Sequence, residues 1–266
     1  MAETAVWDGH AIRLGSVDRL ARDNFLQPGD RAGSMRLDFT VWLLRSGKDT
    51  VMVDTGFAAE AGRRRGRVAD RTPASALVEL GLDPADVGHV VLSHAHYDHA
   101  GNIGEFPGAE VVVQAEELAY ITGDSMRHAS LSHFFEIDDV VDLVRRVHAG
   151  SVRVVDGDVT LLPGLELHLI GGHTRGLQVV RVHTARGWVV LASDALHYYE
   201  NLAQRNPFPA LLDLGKLLDG YDRIERLADT AEHIVPGHDP DVFRRYLDDS
   251  SGLPDGIVAL HHPPRP

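Results

Sequence analysis

The ten residues from Ser93 to Asn102, with the sequence SHAHYDHAGN, constrain this chain more than any other segment. Six consecutive positions carry four potential metal ligands, which are His94, His96, Asp98 and His99. Three imidazoles and a carboxylate would be costly to bury together unless a cation bound them, and these groups are suited to Zn²⁺ and its first-row neighbours. The segment therefore predicts a metal site.

The spacing of these residues favours more than one metal ion. The apolar residues 90–92 predict the end of a buried strand. If the chain stays extended beyond it, His94, His96 and Asp98 point the same way, because alternate residues of a strand share a face. His99 breaks this alternation, which favours a second ion, and two-metal hydrolases hold their ions roughly 3.5–4 Å apart.

This segment resembles the H-x-H-x-D-H signature of the metallo-β-lactamase superfamily. Four further elements of that family have counterparts here in the same order along the chain. Residues 50–56 are similar to its strand and Asp-x-Gly turn, residues 171–174 to its Gly-His-Thr element, residues 193–195 to its bridging-aspartate element, and residues 235–238 to its last histidine loop.

The resemblance implies a ligand set for two ions, which would be Zn²⁺ or another first-row divalent metal. One ion would be bound by His94, His96 and His173, the other by Asp98, His99 and His238, with Asp194 bridging the two. Asp54 would accept a hydrogen bond from a ligand histidine and so orient it, as metal sites commonly require.

The resemblance also implies the fold, an α/β sandwich of αββα type with two mixed β-sheets flanked by helices. A length of 266 residues suits a single hydrolase domain over residues 1–266. Local patterns agree, because residues 38–44 and 50–53 read as neighbouring strands. Residues 72–80 read as a helix with Pro73 at its first position, and residues 211–227 as an amphipathic helix.

Composition excludes several classes of protein. The net charge of −13 argues against a nucleic-acid partner, whose phosphates require a basic surface. The basic run at residues 63–67 reads as a solvated loop or helix face, and only Arg175, close to His173, is well placed to bind phosphate. The chain has no cysteine, so it has no disulfide, no thiolate ligand and no cysteine nucleophile.

The N-terminal sequence lacks both a basic start and an apolar signal region, and no apolar run approaches membrane-spanning length. We therefore expect a cytoplasmic protein that acts on a small molecule, without a membrane or nucleic-acid partner. A homodimer is compatible with the sequence.

Within the superfamily, the chain is most similar to the N-acyl-homoserine-lactone lactonase branch. That branch has a tyrosine three residues after the bridging aspartate, where this chain has His197. The implied enzyme is a dinuclear metallohydrolase in which a hydroxide between two metals opens a lactone or similar cyclic ester. Asp98 would pass the proton to the leaving group, and His197 would stabilise the oxyanion or protonate the leaving oxygen.

Other functions remain open at this point. A thioesterase or amidase of the same fold fits the ligands, and a phosphodiesterase or a non-catalytic metal-binding protein is less favoured. Candidate pocket residues are His133, Phe134, Phe135 and Tyr198. The first three lie in residues 122–150, which read either as a cover for the metal site or as a helical excursion that packs its aromatic residues into the core.

Overall fold

The computed structural model of the chain describes residues 4 to 265. Its strands are β1 (Asp8–Leu20), β2 (Ser34–Ser46), β3 (Asp49–Val53), β4 (His89–Val91), β5 (Glu110–Gln114), β6 (Val152–Val155), β7 (Val159–Leu162), β8 (Leu165–Leu169), β9 (Gln178–Thr184), β10 (Gly187–Ser193), β11 (Ile234–Pro236) and β12 (Ile257–Ala259). They form a seven-stranded sheet in the order β12-β1-β2-β3-β4-β5-β6 and a five-stranded sheet in the order β11-β10-β9-β8-β7.

Both sheets are mixed. In the first, β3, β4, β5 and β6 pair in parallel, whereas β1 pairs antiparallel with β2 and β12. In the second, only the β10 and β11 pair is parallel in the described chain. Parallel pairing requires both faces of a sheet to be covered, and the burial of alternate side chains shows how this is achieved.

Apolar side chains on the central strands alternate between an inner and an outer layer. Trp42 and Leu44 of β2 pack between the two sheets, whereas Leu43 packs on the opposite face. On β9, Val180 joins the layer between the sheets and Val179 points outward. Because consecutive residues of a strand face opposite sides, each sheet buries one face against its partner and the other under helices.

The helices are α1 (Ala59–Arg64), α2 (Pro73–Glu79), α3 (Tyr97–Ala100), α4 (Ala115–Ile121), α5 (Ala129–Ser132), α6 (Ile137–His148), α7 (Tyr199–Ala203), α8 (Leu214–Leu227) and α9 (Asp241–Arg245). Helices α2 and α6 cover the outer face of the first sheet, and α8 covers that of the second. This is the expected αββα sandwich, so the fold class is confirmed.

Most local predictions agree with the structure. Helix α2 begins at Pro73, because the side chain of Thr72 accepts a hydrogen bond from the Ser75 N–H and caps the helix. Helix α8 begins three residues later than the apolar pattern suggests, because Asp213 is its N-cap and accepts from the Lys216 N–H. No helix within residues 4 to 265 is long and apolar enough to cross a membrane.

The carboxyl ends of four strands meet at one edge of the sandwich. Asp54 follows β3, and the SHAHYDHAGN segment follows β4, which is parallel to β3. Asp194 follows β10, and His238 lies just beyond β11, which is parallel to β10. The candidate ligands from both sheets therefore converge at this edge.

Candidate metal centre

The carboxylate of Asp194 lies between two groups of histidines. Its Oδ2 is 3.2 Å from Nε2 of His173 and 3.8 Å from Nε2 of His94. Its Oδ1 is 2.8 Å from Nε2 of His238 and 3.1 Å from Nε2 of His99. One oxygen thus faces each group, which is the arrangement that a carboxylate bridging two cations requires.

The ligand atoms form compact sets whose members lie within 4.8 Å of one another. One set is His94, His96, His173 and Asp194, and a second is Asp98, His99 and His238. These sets match the two groups that the family resemblance implies. Nearly all of these side chains are buried, and Asp98 is partly exposed.

The hydrogen bonds of the histidine rings test whether the site suits metal ions. The Nδ1 atoms of His99, His173 and His238 face Asp54 Oδ2, the Ala210 carbonyl and the Asp38 carbonyl, so each Nδ1 carries a proton that it donates. Their Nε2 atoms therefore face the centre, where they could bind a cation.

Two buried ring nitrogens of the candidate ligands have no hydrogen-bond partner. Nε2 of His94 and Nε2 of His99 are buried without a hydrogen-bond partner. A buried nitrogen without a partner costs free energy unless a ligand occupies its lone pair. The donor set of imidazole nitrogens and carboxylate oxygens is the one that Zn²⁺ prefers, so the residues present fit the expected ions.

His96 presents its other ring nitrogen to the same centre. Its Nδ1 is 3.0 Å from Nε2 of His173, and its ring packs against Phe134 and Phe135, with centroid distances of 5.0 and 4.7 Å. The aromatic contacts hold the imidazole in the orientation that turns Nδ1 towards the centre.

Asp98 reaches the site by a different route from the one predicted. The chain does not stay extended after β4, because it turns into the short helix α3 at Tyr97, with His96 as the N-cap residue. Asp98 therefore does not align with His94 and His96 on one face, and the expectation from strand alternation was wrong in this respect. The helical turn instead places Asp98 with His99 and His238.

Asp54 accepts hydrogen bonds from three residues at the base of the site. Its Oδ1 accepts from the Ser93 N–H at 2.7 Å, and its Oδ2 accepts from Ser93 Oγ at 2.7 Å, from His99 Nδ1 at 2.8 Å and from Ser193 Oγ at 3.2 Å. Asp54 and Ser193 both adopt positive φ angles, 62° and 44°. Such strain persists where surrounding contacts hold it, and here those contacts tie both sheets to one carboxylate.

Glu117 is a supporting residue that the sequence did not reveal. It is fully buried on α4, and its Oε1 accepts from the Ala95 N–H at 2.9 Å. Its Oε2 accepts from Thr174 Oγ1 at 2.7 Å and from the Gly176 N–H at 3.0 Å. One carboxylate therefore joins the loop that carries His94 and His96 to the loop that carries His173. Only an acidic residue on the buried side of a helix could have signalled this role.

The pKa values at the centre follow from burial and from the opposed charges. Burial lowers the pKa of His94 and of His96 well below the ordinary value, so both rings are neutral and free to bind a cation. Burial opposes ionisation of Asp194, yet the surrounding His197, His238 and His99 hold its pKa well below the ordinary range. Burial also opposes protonation of His99, but Asp194 and the neighbouring aspartates raise its pKa well above the ordinary value. The centre thus attracts positive charge.

His197 lies beside the same carboxylate. Its Nε2 is 3.2 Å from Asp194 Oδ2, and its ring stacks on Phe208 at a centroid distance of 3.9 Å and an interplanar angle of 3°. Burial lowers its pKa to about 3, so the ring is neutral. The histidine therefore faces the candidate metal ligands.

A cavity of about 300 Å³ opens onto the centre. Of the candidate pocket residues, His133 and Phe134 line it. Phe135 is instead buried between His96 and Tyr120, and Tyr198 is buried with its hydroxyl donating to the Arg36 carbonyl at 3.2 Å. A larger cavity of about 760 Å³ beneath residues 247–257 contains none of the candidate ligands.

Three arginines that the sequence did not place at the site also line the smaller cavity: Arg19, Arg65 and Arg67. Of the basic run at residues 63–67, which was expected to be a solvated loop or helix face, Arg63 and Arg64 are exposed on α1, whereas Arg65 and Arg67 are only partly exposed and line this cavity. Arg175, which the sequence singled out, is exposed and does not line this cavity.

Comparison with known proteins agrees with this geometry. N-acyl homoserine lactonase AiiA of Bacillus thuringiensis subsp. kurstaki is 26% identical over 243 residues, which cover 84% of this chain and 88% of that protein. A probable metallo-hydrolase of Mycobacterium tuberculosis is 30% identical over 226 residues, covering 76% of this chain and 72% of the relative.

A solved structure with a similar fold is AidC, described as a dizinc quorum-quenching lactonase in complex with a product, N-hexanoyl-L-homoserine. It has a TM-score of 0.69 at 18% identity and covers 90% of this chain and 89% of its own. Residues 40–238 match the family described as the metallo-beta-lactamase superfamily. The expectation of a hydrolytic metalloenzyme agrees with these relatives, and the chain belongs to the metallo-beta-lactamase superfamily.

Proposed function

We propose that this protein is a metal-dependent lactonase that opens a lactone or a similar cyclic ester by hydrolysis. The observation that carries the proposal is the Asp194 carboxylate, whose two oxygens face two separate groups of imidazole nitrogens. The N-acyl homoserine lactonases of Bacillus, which align over most of this chain, support the substrate class.

We assign the residues of the site to two zinc ions or other first-row divalent ions. His94, His96 and His173 would hold one ion, Asp98, His99 and His238 would hold the other, and Asp194 would bridge them. Such ions would lower the pKa of bound water towards 7 and polarise a substrate carbonyl, which is the chemistry that hydrolysis of an ester requires.

The protein's own side chains would move the proton and orient the substrate. Asp98 is partly exposed and lines the cavity, so its carboxylate can carry a proton from the attacking water to the departing oxygen. His197 lines the same cavity and can donate its Nε2–H to the oxygen that becomes negative. Phe134 and Phe208 line the cavity and would form its apolar walls beside the reacting groups.

The first experiment measures metal content and substrate class together. Purified protein should contain close to two equivalents of a divalent ion, and His238→Ala should lower this number to about one. The loaded enzyme is then assayed side by side on a lactone, a thioester, an amide and a phosphodiester. Turnover of the lactone alone supports the proposal. Hydrolysis of only a thioester or amide would retain the hydrolase and reject the lactonase.

Asp98→Asn tests the proton transfer separately from metal binding. The amide keeps an oxygen that can bind a metal but cannot carry a proton, so turnover should fall by about 10²–10⁴. Near-normal turnover in a fully metallated variant would remove Asp98 from this role.

A further inference from the structure

The cavity above the candidate metal centre is lined by cationic side chains that the proposed hydrolysis does not use. Arg19, Arg65 and Arg67 all line it. The carboxylates that line it, among the described residues, are Asp98 and Asp194, and both are assigned to the metals. These acidic groups are therefore not available as partners for the arginines.

One of the three arginines is already neutralised within the protein. Arg65 forms an ion pair with Glu136, with its Nη2 2.8 Å from Oε1, and its guanidinium stacks on the ring of Tyr97 at 4.2 Å. Arg65 is thus held in place by its own partners, and it forms part of the wall rather than a site for a ligand.

The guanidinium groups of Arg19 and Arg67 have no such carboxylate partner among the described residues. The Nη2 of Arg19 donates to the Asp23 carbonyl at 3.3 Å, and its guanidinium lies 4.7 Å from the centre of the Phe208 ring. Neither Arg19 nor Arg67 forms an ion pair with a carboxylate in the part of the chain that the structure describes. Burial lowers the pKa of Arg19, and the nearby charge of Arg67 lowers it further.

The backbone places these two arginines beside the same cavity. Gly15 of β1 forms an antiparallel bridge with Ala69, and a Cβ added to Gly15 would lie 2.5 Å from the Val68 carbonyl oxygen. This close approach sets the segment after α1 alongside β1. Arg19 of β1 and Arg67 of this segment both line the cavity.

Two unpaired cations beside one cavity repel each other, and they do so in a chain whose acidic residues outnumber its basic ones by 39 to 26. An anionic ligand would offset the repulsion between the two guanidinium groups. Guanidinium groups suit carboxylates because they offer paired N–H donors. The cavity of about 300 Å³ is at the small end of the range for ligand sites, so it favours a compact ligand.

We propose that the substrate is a compact lactone that carries a carboxylate, which Arg19 and Arg67 bind while the ring carbonyl faces the metal centre. This inference rests on the proposed lactonase function and adds the charge of the substrate. It distinguishes this chain from an enzyme whose pocket accepts only a neutral acyl chain.

The first arm of the test uses a matched pair of substrates, a butyrolactone with a ring carboxylate and the carboxamide of the same ring. In the zinc-loaded wild type, kcat/KM should be about tenfold to a hundredfold higher for the carboxylate, as expected for a charge-assisted hydrogen bond. The double variant Arg19→Gln/Arg67→Gln should bring this ratio close to one. Arg63→Gln removes the same charge from an exposed position outside the cavity and should keep the wild-type ratio.

The second arm measures binding without hydrolysis, by calorimetry with benzenesulfonate and the uncharged methyl phenyl sulfone. The sulfonate should bind at least about tenfold more tightly in the wild type, and the double variant should lose this preference. A sulfonate preference that depends on both arginines, without turnover of any lactone, would retain the anion site and reject the lactonase. Lactone turnover with equal rates for the charged and uncharged rings would retain the lactonase and overturn the anion site.

Discussion

Replacing Glu117 by glutamine tests whether a single buried carboxylate holds the two ligand loops together. Glu117 accepts hydrogen bonds from the Ala95 N–H, Thr174 Oγ1 and the Gly176 N–H. Glutamine has only one acceptor oxygen, so its amide N–H₂ must face at least one of these donors. Glu117→Gln therefore changes the bonds between the loops and leaves the size of the side chain almost unchanged.

The expected loss of stability follows from the hydrogen bonds that Glu117→Gln removes. Losing one hydrogen bond to a charged group costs about 1.5–3 kcal/mol, and leaving a buried donor unsatisfied costs about 1–3 kcal/mol. Burial raises the pKa of Glu117, because a buried carboxylate is costly, so replacing it by a neutral amide offsets part of the destabilisation. We expect a net loss of about 2 kcal/mol in the free energy of unfolding.

The assay is urea unfolding of the zinc-loaded protein, combined with a zinc titration of the same variant. Because Glu117 supports His94, His96 and His173 without binding metal, zinc affinity should fall about tenfold to a hundredfold. Glu116→Gln is the control, since its side chain is 49% exposed and its replacement should change stability by less than about 0.5 kcal/mol. If both variants unfold and bind zinc alike, Glu117 does not hold the loops.

Three further predictions follow from named contacts. His197→Ala should lower kcat by about 10²–10³ without loss of zinc, and His197→Tyr should restore part of it; equal kcat in wild type and alanine variant would make His197 structural. Gly15→Ala should destabilise the fold by about 1–3 kcal/mol, because the added Cβ would lie 2.5 Å from the Val68 carbonyl oxygen. Gly104→Ala is the control and should not destabilise it, because no atom lies within 4 Å of the added Cβ. Burial and neighbouring carboxylates raise the pKa of Asp139 from 3.8 to about 7, so its stability contribution is present below pH 3.8 and is lost as pH rises through about 7. Asp139→Asn should therefore stabilise the protein by about 1–2 kcal/mol at pH 8 and not at pH 3, as measured by urea unfolding; an equal gain at both values would refute the assignment.

Much of the fold could be predicted because its signals are local in the sequence. Consecutive apolar residues at 41–44 and 51–53 mark β2 and β3, and the capping residue Thr72 marks the start of α2. The candidate ligands were equally visible, because four of them lie in the six positions 94–99 and the rest follow strand ends in family order. Ligand chemistry depends on residue type, which a sequence shows directly.

Only the tertiary structure decided how these residues are arranged around the site. The turn into α3 separates Asp98 from His94 and His96, because the hydrogen bonds of a helical turn replaced the extended chain. The two oxygens of Asp194 face different histidines because loops from both sheets meet around it: His99 follows a strand of the first sheet, whereas His173 and Asp194 follow strands of the second. Neither feature leaves a periodic pattern in the sequence.

The positions of the arginines in the cavity also could not be predicted from the sequence. As a sequence, residues 63–67 are a basic run, and such runs are usually solvated. The backbone bridge between Gly15 and Ala69 instead carries Arg67 to the cavity beside Arg19. Residue types alone therefore determined which side chains could bind metal in this protein. Contacts between segments distant in the chain decided which charges line its cavity, because such contacts depend on the close approach of backbones and not on local pattern.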